Sequence, residues 1–419
     1  MLRVLSALLA FAVTVVSVQG DGLLIQPNDS IAICGDSITD QRIYSVFLED
    51  YLLMCQPTPG QTIAQLGWGG EQAPSFLARL NSDLYPFRPN VVTTCYGMND
   101  GHYQALTPVA SETYRRAQTA IVEALKKHGV RVIVLGSTKC VDSDTFRHDP
   151  SQAETYNETL KYLAGLDRDI ARQEGVIYAE VYEATSAAME KSKAAYGPTY
   201  VFGGNDGVHP GPNGALVMVY AFLKALGCNG AIGTVTIDLA SHRATGTPGQ
   251  RVLSYDDGTV TLESSRYPFC FDGNPDVPDQ HTASILKFVP FNEELNRYML
   301  VVRGLTSESA QVTWGRESKI FTRAQLTSGI NLAAEFLQNP FVVPFRTVSN
   351  NVYQEQNYQA GLVRVMLHNL ATWKSLDPAR AGTLDAIAQE SVAQSRALSL
   401  AAAASVVPVR HSIKVTPSP

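Results

Sequence analysis

The 419-residue sequence predicts an α/β fold, a parallel sheet covered by helices on both faces, followed by a mostly β module and terminal helices. Three observations carry this. Between Asp21 and about Gly227 short apolar runs alternate with segments of helical period, the βαβα rhythm of a parallel sheet. After about Asn229 the period changes to two, with a hairpin signal at Asp257-Gly258. Further on the helical period returns and ends in an alanine-rich stretch.

Taken in order, Met1 and Arg3 precede an apolar run from Val4 to Val18 and the small residue Gly20, which reads as a secretory signal peptide over 1–20. That run is shorter than the ~20 residues a spanning helix needs, so the expectation is a secreted or periplasmic protein without stable membrane insertion after cleavage. The α/β domain is expected over 21–228. Its strands are Ile31–Gly35, Thr62–Leu66, Asn90–Tyr96, Val130–Gly136 and Val176–Val181. Between them, Thr107-Pro108 pairs an N-cap with proline at the first helical position, and Lys126, Lys127, His128 and Gly129 suit that helix's C-terminus. Ser151 with Glu154 predicts a capping box opening a helix to about Glu174, and Pro212 opens the helix that Gly227 closes.

A mostly β accessory module is expected over 229–345, with strands at Val252–Tyr255, Thr259–Leu262, Tyr298–Val302 and Val312–Trp314. Helical pattern returns near Leu326–Leu337 and again in a helical segment over 346–405. Residues 406–419, with three prolines, are expected as a flexible tail. Packing against the α/β domain is the favoured role for this extension; a lid or a carbohydrate-binding surface is the alternative.

Composition narrows the function. The net charge of −6 and the lack of a basic, aromatic-laced stretch argue against a nucleic-acid partner. The six cysteines show no C-x-x-C and no paired His/Cys ligand spacing, so neither a metal nor another cofactor is expected, and Cys34 and Cys95 read as small hydrophobes within strands. Disulfides are permitted in an exported chain, but the spacing fixes no pairing. Asn28-Asp29-Ser30 and Asn157-Glu158-Thr159 are glycosylation acceptors only in a eukaryotic host.

Chemistry concentrates at strand ends. Ser37 follows Ile31–Gly35 directly and precedes a helix, where free N–H groups and the helix dipole favour developing negative charge. Asp206-Gly207-Val208-His209 lies in a loop before the last helix of the domain, close enough in sequence for the carboxylate to fold back onto the imidazole. Gly67-Trp68-Gly69-Gly70 follows the second strand and Gly97-Met98-Asn99-Asp100 the third; a glycine N–H and an asparagine amide are the donors an oxyanion hole requires. Each block alone reads equally well as turn chemistry. Trp68, His102, Tyr103 and His148 lie in strand-end loops and are candidates to line a substrate pocket.

These four blocks, Gly35-Asp36-Ser37-Ile38 first among them, stand in the order and rough spacing of the SGNH (GDSL-type) hydrolases, and the chain resembles that family over about residues 28–227. The resemblance implies a flavodoxin-like three-layer α/β/α domain. It also implies Ser37 as nucleophile, His209 as base, Asp206 as its orienting acid, and Ser37 N–H, Gly70 N–H and the Asn99 amide as oxyanion donors, with Gly69 as the alternative glycine. The isoleucine of the first block replaces the family's leucine, and the chain after Asn229 lies outside the family's core. The α/β-hydrolase elbow fails here, because Thr39 stands where its second glycine belongs.

The expected activity is therefore that of a secreted, metal-independent serine esterase, acting on a small-molecule or polysaccharide ester, short-chain O-acetyl groups on carbohydrate first. A lipid ester or acyl transfer to an alcohol is the alternative. A non-catalytic carbohydrate-binding or cell-envelope protein on the same scaffold is the alternative of another class. No feature indicates an oligomeric state.

Overall fold

The computed structural model describes residues 22–146, 149–274 and 276–418; the expected leader over 1–20 and the pocket candidate His148 lie outside them. Five parallel strands, β1 (Ser30–Gly35), β2 (Thr62–Gly67), β3 (Val91–Cys95), β4 (Val132–Gly136) and β5 (Ile177–Ala179), form one sheet in the order β2-β1-β3-β4-β5. This is the doubly wound flavodoxin-like order, in which chain direction across the sheet reverses between β1 and β3 and ligands gather at the strand C-termini beside that point. β5 is shorter than expected because Val181 opens a helix.

Side-chain alternation along β1 explains the layers. Ile31 and Ile33 enter one apolar cluster and Ala32 and Cys34 the other, so the sheet is buried on both faces. On the first face lie α1 (Ser37–Asp40) and α2 (Tyr44–Asp50), and on the second α3 (Ala73–Arg79) and α4 (Pro108–Lys127). Thr107 caps α4, accepting from Ala110 N–H at 3.2 Å. α5 (Ala153–Glu174) begins differently from the expected capping box: a short 3-10 turn precedes it, and Asp149 accepts from Ser151 N–H at 3.0 Å. α6 (Val181–Tyr196) and α7 (Pro212–Ala225) complete the domain.

The extension builds two further sheets. β6 (Ala231–Asp238), β7 (Arg243–Gly246), β10 (Arg297–Arg303) and β13 (Ile330–Asn331) stand in the order β13-β10-β6-β7. β8 (Gln250–Asp256), β9 (Thr259–Ser264), β11 (Ser309–Trp314), β12 (Glu317–Thr322) and β14 (Val409–Pro417) stand in the order β12-β11-β14-β9-β8. The expected flexible tail over 406–419 is corrected here: β14 is the central strand of its sheet, paired with β11 and β9. Val409, His411, Ile413 and Val415 point inward and alternate with exposed residues, and Pro408 and Pro417 bound the strand rather than break it.

Asp257-Gly258 forms the expected hairpin turn between β8 and β9. The helical pattern near Leu326–Leu337 is interrupted by β13, leaving only short helices at Arg323–Ser328 and Leu332–Glu335. The apolar cluster on the α2 and α7 face continues without a break through Val235, Leu262 and Trp314, so the β module packs onto the α/β domain.

Two long helices, Val342–Gly361 and Ala381–Ala404, cover the outer edge of β2. An uncovered edge would leave backbone groups without partners. Here side chains supply them: the Gln359 amide accepts from Gln65 N–H at 2.8 Å and donates to Ile63 C=O at 2.7 Å, and Ser399 Oγ accepts from Ile63 N–H at 2.9 Å. All six cysteines are buried and free, and no described helix is long and apolar enough to cross a membrane.

Candidate active site

The turn after β1 positions Ser37. Gly35 lies so close to the following helix that a Cβ there would stand 2.1 Å from Thr39 Oγ1 and 2.9 Å from Cys95 C=O, so only glycine permits the chain to turn this sharply. Asp36 caps α1 by accepting from Ile38 N–H at 2.9 Å, which leaves Ser37 as its first residue with its N–H at the positive end.

His209 Nε2 lies 2.7 Å from Ser37 Oγ, and Asp206 Oδ2 lies 2.7 Å from His209 Nδ1. The other Asp206 oxygen accepts the backbone N–H groups of Val208 and His209, each at 2.9 Å. Burial works to raise the Asp206 pKa, but the donors from His209 and Val208 outweigh it and hold the carboxyl below its ordinary value. An ionised Asp206 accepts Nδ1–H, which leaves the Nε2 lone pair for the serine hydroxyl. The His209 and Asp206 side chains are 27% and 23% exposed, open enough for a substrate to reach them.

The turn after β2 carries Gly70 in the left-handed region, φ +73°, a conformation that favours glycine although a Cβ would meet open space. Its N–H has no hydrogen-bond partner among the described residues. The turn after β3 carries Asn99, whose Nδ2 donates to Glu71 C=O at 3.0 Å and only weakly, at 3.5 Å, toward Asp36 Oδ2. Tyr103 OH donates to Asn99 Oδ1 at 3.1 Å, which fixes which way the amide faces.

The structure thus brings Ser37, Asp206, His209 and Asn99 together and places Gly70 in the adjoining turn. The three pocket candidates divide. His102 is exposed at the rim, Tyr103 braces Asn99, and the half-buried Trp68 ring packs against His368 with ring centroids 4.6 Å apart. His102 and Tyr103 both have left-handed backbones, φ +55° and +58°, an uncommon pair for side-chain-bearing residues.

Several buried groups that sequence reasoning missed support this site. Glu71 and Arg79 form a buried pair, Nε to Oε1 at 2.5 Å and Nη2 to Oε2 at 2.6 Å, and Tyr96 OH donates to Glu71 Oε2 at 2.8 Å. Asp100 accepts from Ala73 and Gly97 N–H groups at 2.9 and 3.1 Å, tying the third turn to α3. Asp142 accepts from Phe202 and Gly203 N–H groups and meets Lys193 at 2.8 Å, which pins the loop that delivers His209. Burial raises Asp36 and Asp100 to about 7 each. Lys139, fully buried, donates to Cys140 C=O, and burial lowers its pKa against the pull of nearby carboxylates. These partners are distant in sequence or lack a local pattern.

A parallel sheet in this order, with a serine, a histidine and an aspartate hydrogen-bonded in series beside its switch point, is the arrangement expected of an SGNH-type serine hydrolase. A profile of the GDSL-like lipase/acylhydrolase family matches residues 33–217, and this domain belongs to that family of serine ester hydrolases. Among solved structures, a gut microbial diltiazem-metabolizing enzyme is similar over 95% of this chain and 99% of its own, with a TM-score of 0.73 and 20% identity. That likeness spans the α/β domain and the extension together, so the whole architecture is a shared fold. Axe2, an acetylxylan esterase from Geobacillus stearothermophilus, covers 49% of this chain and 97% of its own at 19% identity and a TM-score of 0.40. A putative GDSL-like lipase from Parabacteroides merdae covers 49% and 99% at 23% identity and a TM-score of 0.41. No curated protein sequence matches the chain.

Proposed function

We propose that the chain hydrolyses short-chain esters, O-acetyl groups on carbohydrate first, through an acyl-enzyme on Ser37. The observation that carries the mechanism is the continuous relay Ser37–His209–Asp206 with two 2.7 Å steps. His209 takes the serine proton as Oγ attacks the ester carbonyl, and Asp206 holds the imidazole tautomer and stabilises the imidazolium. The tetrahedral oxyanion is met by Ser37 N–H, Gly70 N–H and the less engaged hydrogen of the Asn99 amide. His209 returns the proton to the leaving alcohol, and water activated by the same base releases the acid.

The substrate reading rests on the rim. Gly69, Gly70 and His102 are exposed around a half-buried Ser37, and Tyr103 presents an aromatic wall, which suits a polar alcohol carried at the surface better than a long acyl chain. The leader expected over 1–20 makes an exported enzyme part of the proposal.

The test is acetate release from acetylated xylan by the wild type and Ser37→Ala, with p-nitrophenyl acetate and decanoate compared alongside. Acetate release and preference for the acetyl ester, both absent in Ser37→Ala, are expected. Preference for decanoate would overturn the substrate reading, and turnover in Ser37→Ala would overturn the mechanism.

A further inference from the structure

We infer that Arg364 and His368 of the C-terminal extension are positioning residues for the ester hydrolysis, because they hold the Trp68–Glu71 turn that presents Gly70. The inference rests on the reading of Gly70 and Asn99 as oxyanion donors.

Between the helix Val342–Gly361 and Asn369 the chain runs as a π-helical turn over Leu362–Leu367, with His368 N–H donating to Val363 C=O at 3.0 Å. Leu362, Val363 and Leu367 are buried in the cluster that holds Phe76, Leu80 and Leu84 of the α/β domain, which anchors the turn from below. Its two polar side chains then reach the active-site face.

Arg364 pairs with Asp40, three residues after Ser37 on α1, and its guanidinium stands 5.9 Å from the Trp68 ring centroid. His368 packs on the same ring, and Arg79 approaches it at 5.4 Å. Trp68 is therefore held by three side chains, two of them from the extension. The Trp68 backbone is fixed as well, its N–H donating to Gly35 C=O at 2.9 Å and its C=O accepting from Glu71 N–H at 3.2 Å.

A second path reaches Asn99. His368 Nδ1 lies 3.0 Å from the buried Asp83, Asp83 meets Arg79 at 3.4 Å, Arg79 forks onto Glu71, and Glu71 C=O accepts the Asn99 amide. Both donors supplied by neighbouring strand ends thus lean on the extension. The two side chains themselves are 39% and 41% exposed. The partly exposed Arg364–Asp40 pair contributes little to folding stability, whereas His368 also serves the fully buried Asp83, and its loss costs stability too. The hold on the turn is then readable most cleanly in the kinetics of Arg364 variants.

The experiment compares Arg364→Met, His368→Ala, their double variant, Arg364→Lys, His368→Asn, Asn99→Ala, the triple combination with Asn99→Ala, and Ser37→Ala. It reads kcat and KM on p-nitrophenyl acetate, the fluorophosphonate inactivation rate, and Tm. The double variant is expected to lose about 10-fold in kcat and in inactivation rate, part of the ~10²–10³ that a lost oxyanion donor costs. KM should hardly move, Tm should hardly move in Arg364→Met and fall in the variants that lose His368, the lysine and asparagine variants should recover most of the loss, and in the Asn99→Ala background the part carried through Asn99 should vanish while the part carried through Gly70 remains. Wild-type kcat in the double variant, or a loss of kcat in Arg364→Met that follows a fall in its Tm, would overturn the inference. Turnover in Ser37→Ala would instead overturn the underlying reading of the site.

Discussion

Ser37 Oγ lies 2.7 Å from His209 Nε2, and in the core of the β module Ser264 Oγ lies 2.9 Å from His411 Nε2. The distances are alike; what the other ring nitrogen meets is not. His209 Nδ1 faces the Asp206 carboxylate, an acceptor, whereas His411 Nδ1 faces the indole N–H of Trp314 at 3.1 Å, a donor. An acceptor at Nδ1 leaves Nε2 free to take a proton, while a donor at Nδ1 puts the proton on Nε2 and makes it a donor. His411 therefore gives its hydrogen to Ser264 or to Tyr298 OH, 3.2 Å away, and has no lone pair with which to activate either. Burial seals the difference: Ser264 is fully buried and His411 is 5% exposed, among Tyr298, Trp314 and Phe341. A serine and a histidine in contact become a candidate nucleophile and base only through the third group and access to solvent.

This contrast is open to direct attack by substitution. On the proposed mechanism Ser37→Ala and Asp206→Asn each reduce kcat by at least about 10⁴-fold, the second by imposing the tautomer that His411 already has. Ser264→Ala should leave kcat within about twofold and instead lower stability by about 0.5–1.5 kcal/mol, measured by urea denaturation, because one buried hydrogen bond is lost while Tyr298 OH still accepts from His411. Asn99→Ala should cost about 10²–10³ in turnover with the same initial-rate assay.

The smaller effects concern pH. Burial depresses the His411 pKa to about 4, below its value in the unfolded chain, so the unfolded state binds the proton first. The stability it protects is complete above about pH 6.5 and is lost as pH falls toward 4, a contribution on the order of 2–3 kcal/mol. His411→Gln should flatten the decline in urea midpoint over that window.

The buried carboxyls of Glu49 and Glu355, where α2 meets the helix Val342–Gly361, act in the opposite sense. Burial raises both, Glu49 raises Glu355 further, the hydrogen bond to Glu355 eases Glu49 back down, and one oxygen of each lacks a conventional donor, so the pair is satisfied by a shared proton. Acids raised in the folded state contribute stability below their unfolded pKa and lose it as pH rises. Glu355→Gln, which keeps a donor, should raise stability at pH 8 by about 1–2 kcal/mol and leave it little changed at pH 5.

The same two regions show what sequence discloses. The meeting of Ser37, His209 and Asp206 is legible because Asp206 and His209 are three residues apart and Ser37 sits where an apolar strand stops at a glycine, both local signals. Glu71 with Arg79, and Asp142 with the loop before His209, carry no such spacing; their roles exist only after the strands bring the turns together. In the extension β14 is masked in sequence by the flanking Pro408 and Pro417, which read as strand breakers although the alternation Val409, His411, Ile413 and Val415 lies between them. The edge strands β7 and β12 are largely exposed and polar, so their period-two signal is faint. The cover over β2 depends on Gln359 meeting a strand 296 residues earlier, a contact no local pattern announces.

Intact-mass analysis after fluorophosphonate exposure tests the central claim most directly, with wild type, Ser37→Ala and Ser264→Ala side by side. One adduct on the wild type and on Ser264→Ala, and none on Ser37→Ala, is the predicted result. An adduct that persists in Ser37→Ala, or disappears in a folded Ser264→Ala, would contradict the assignment of the two pairs.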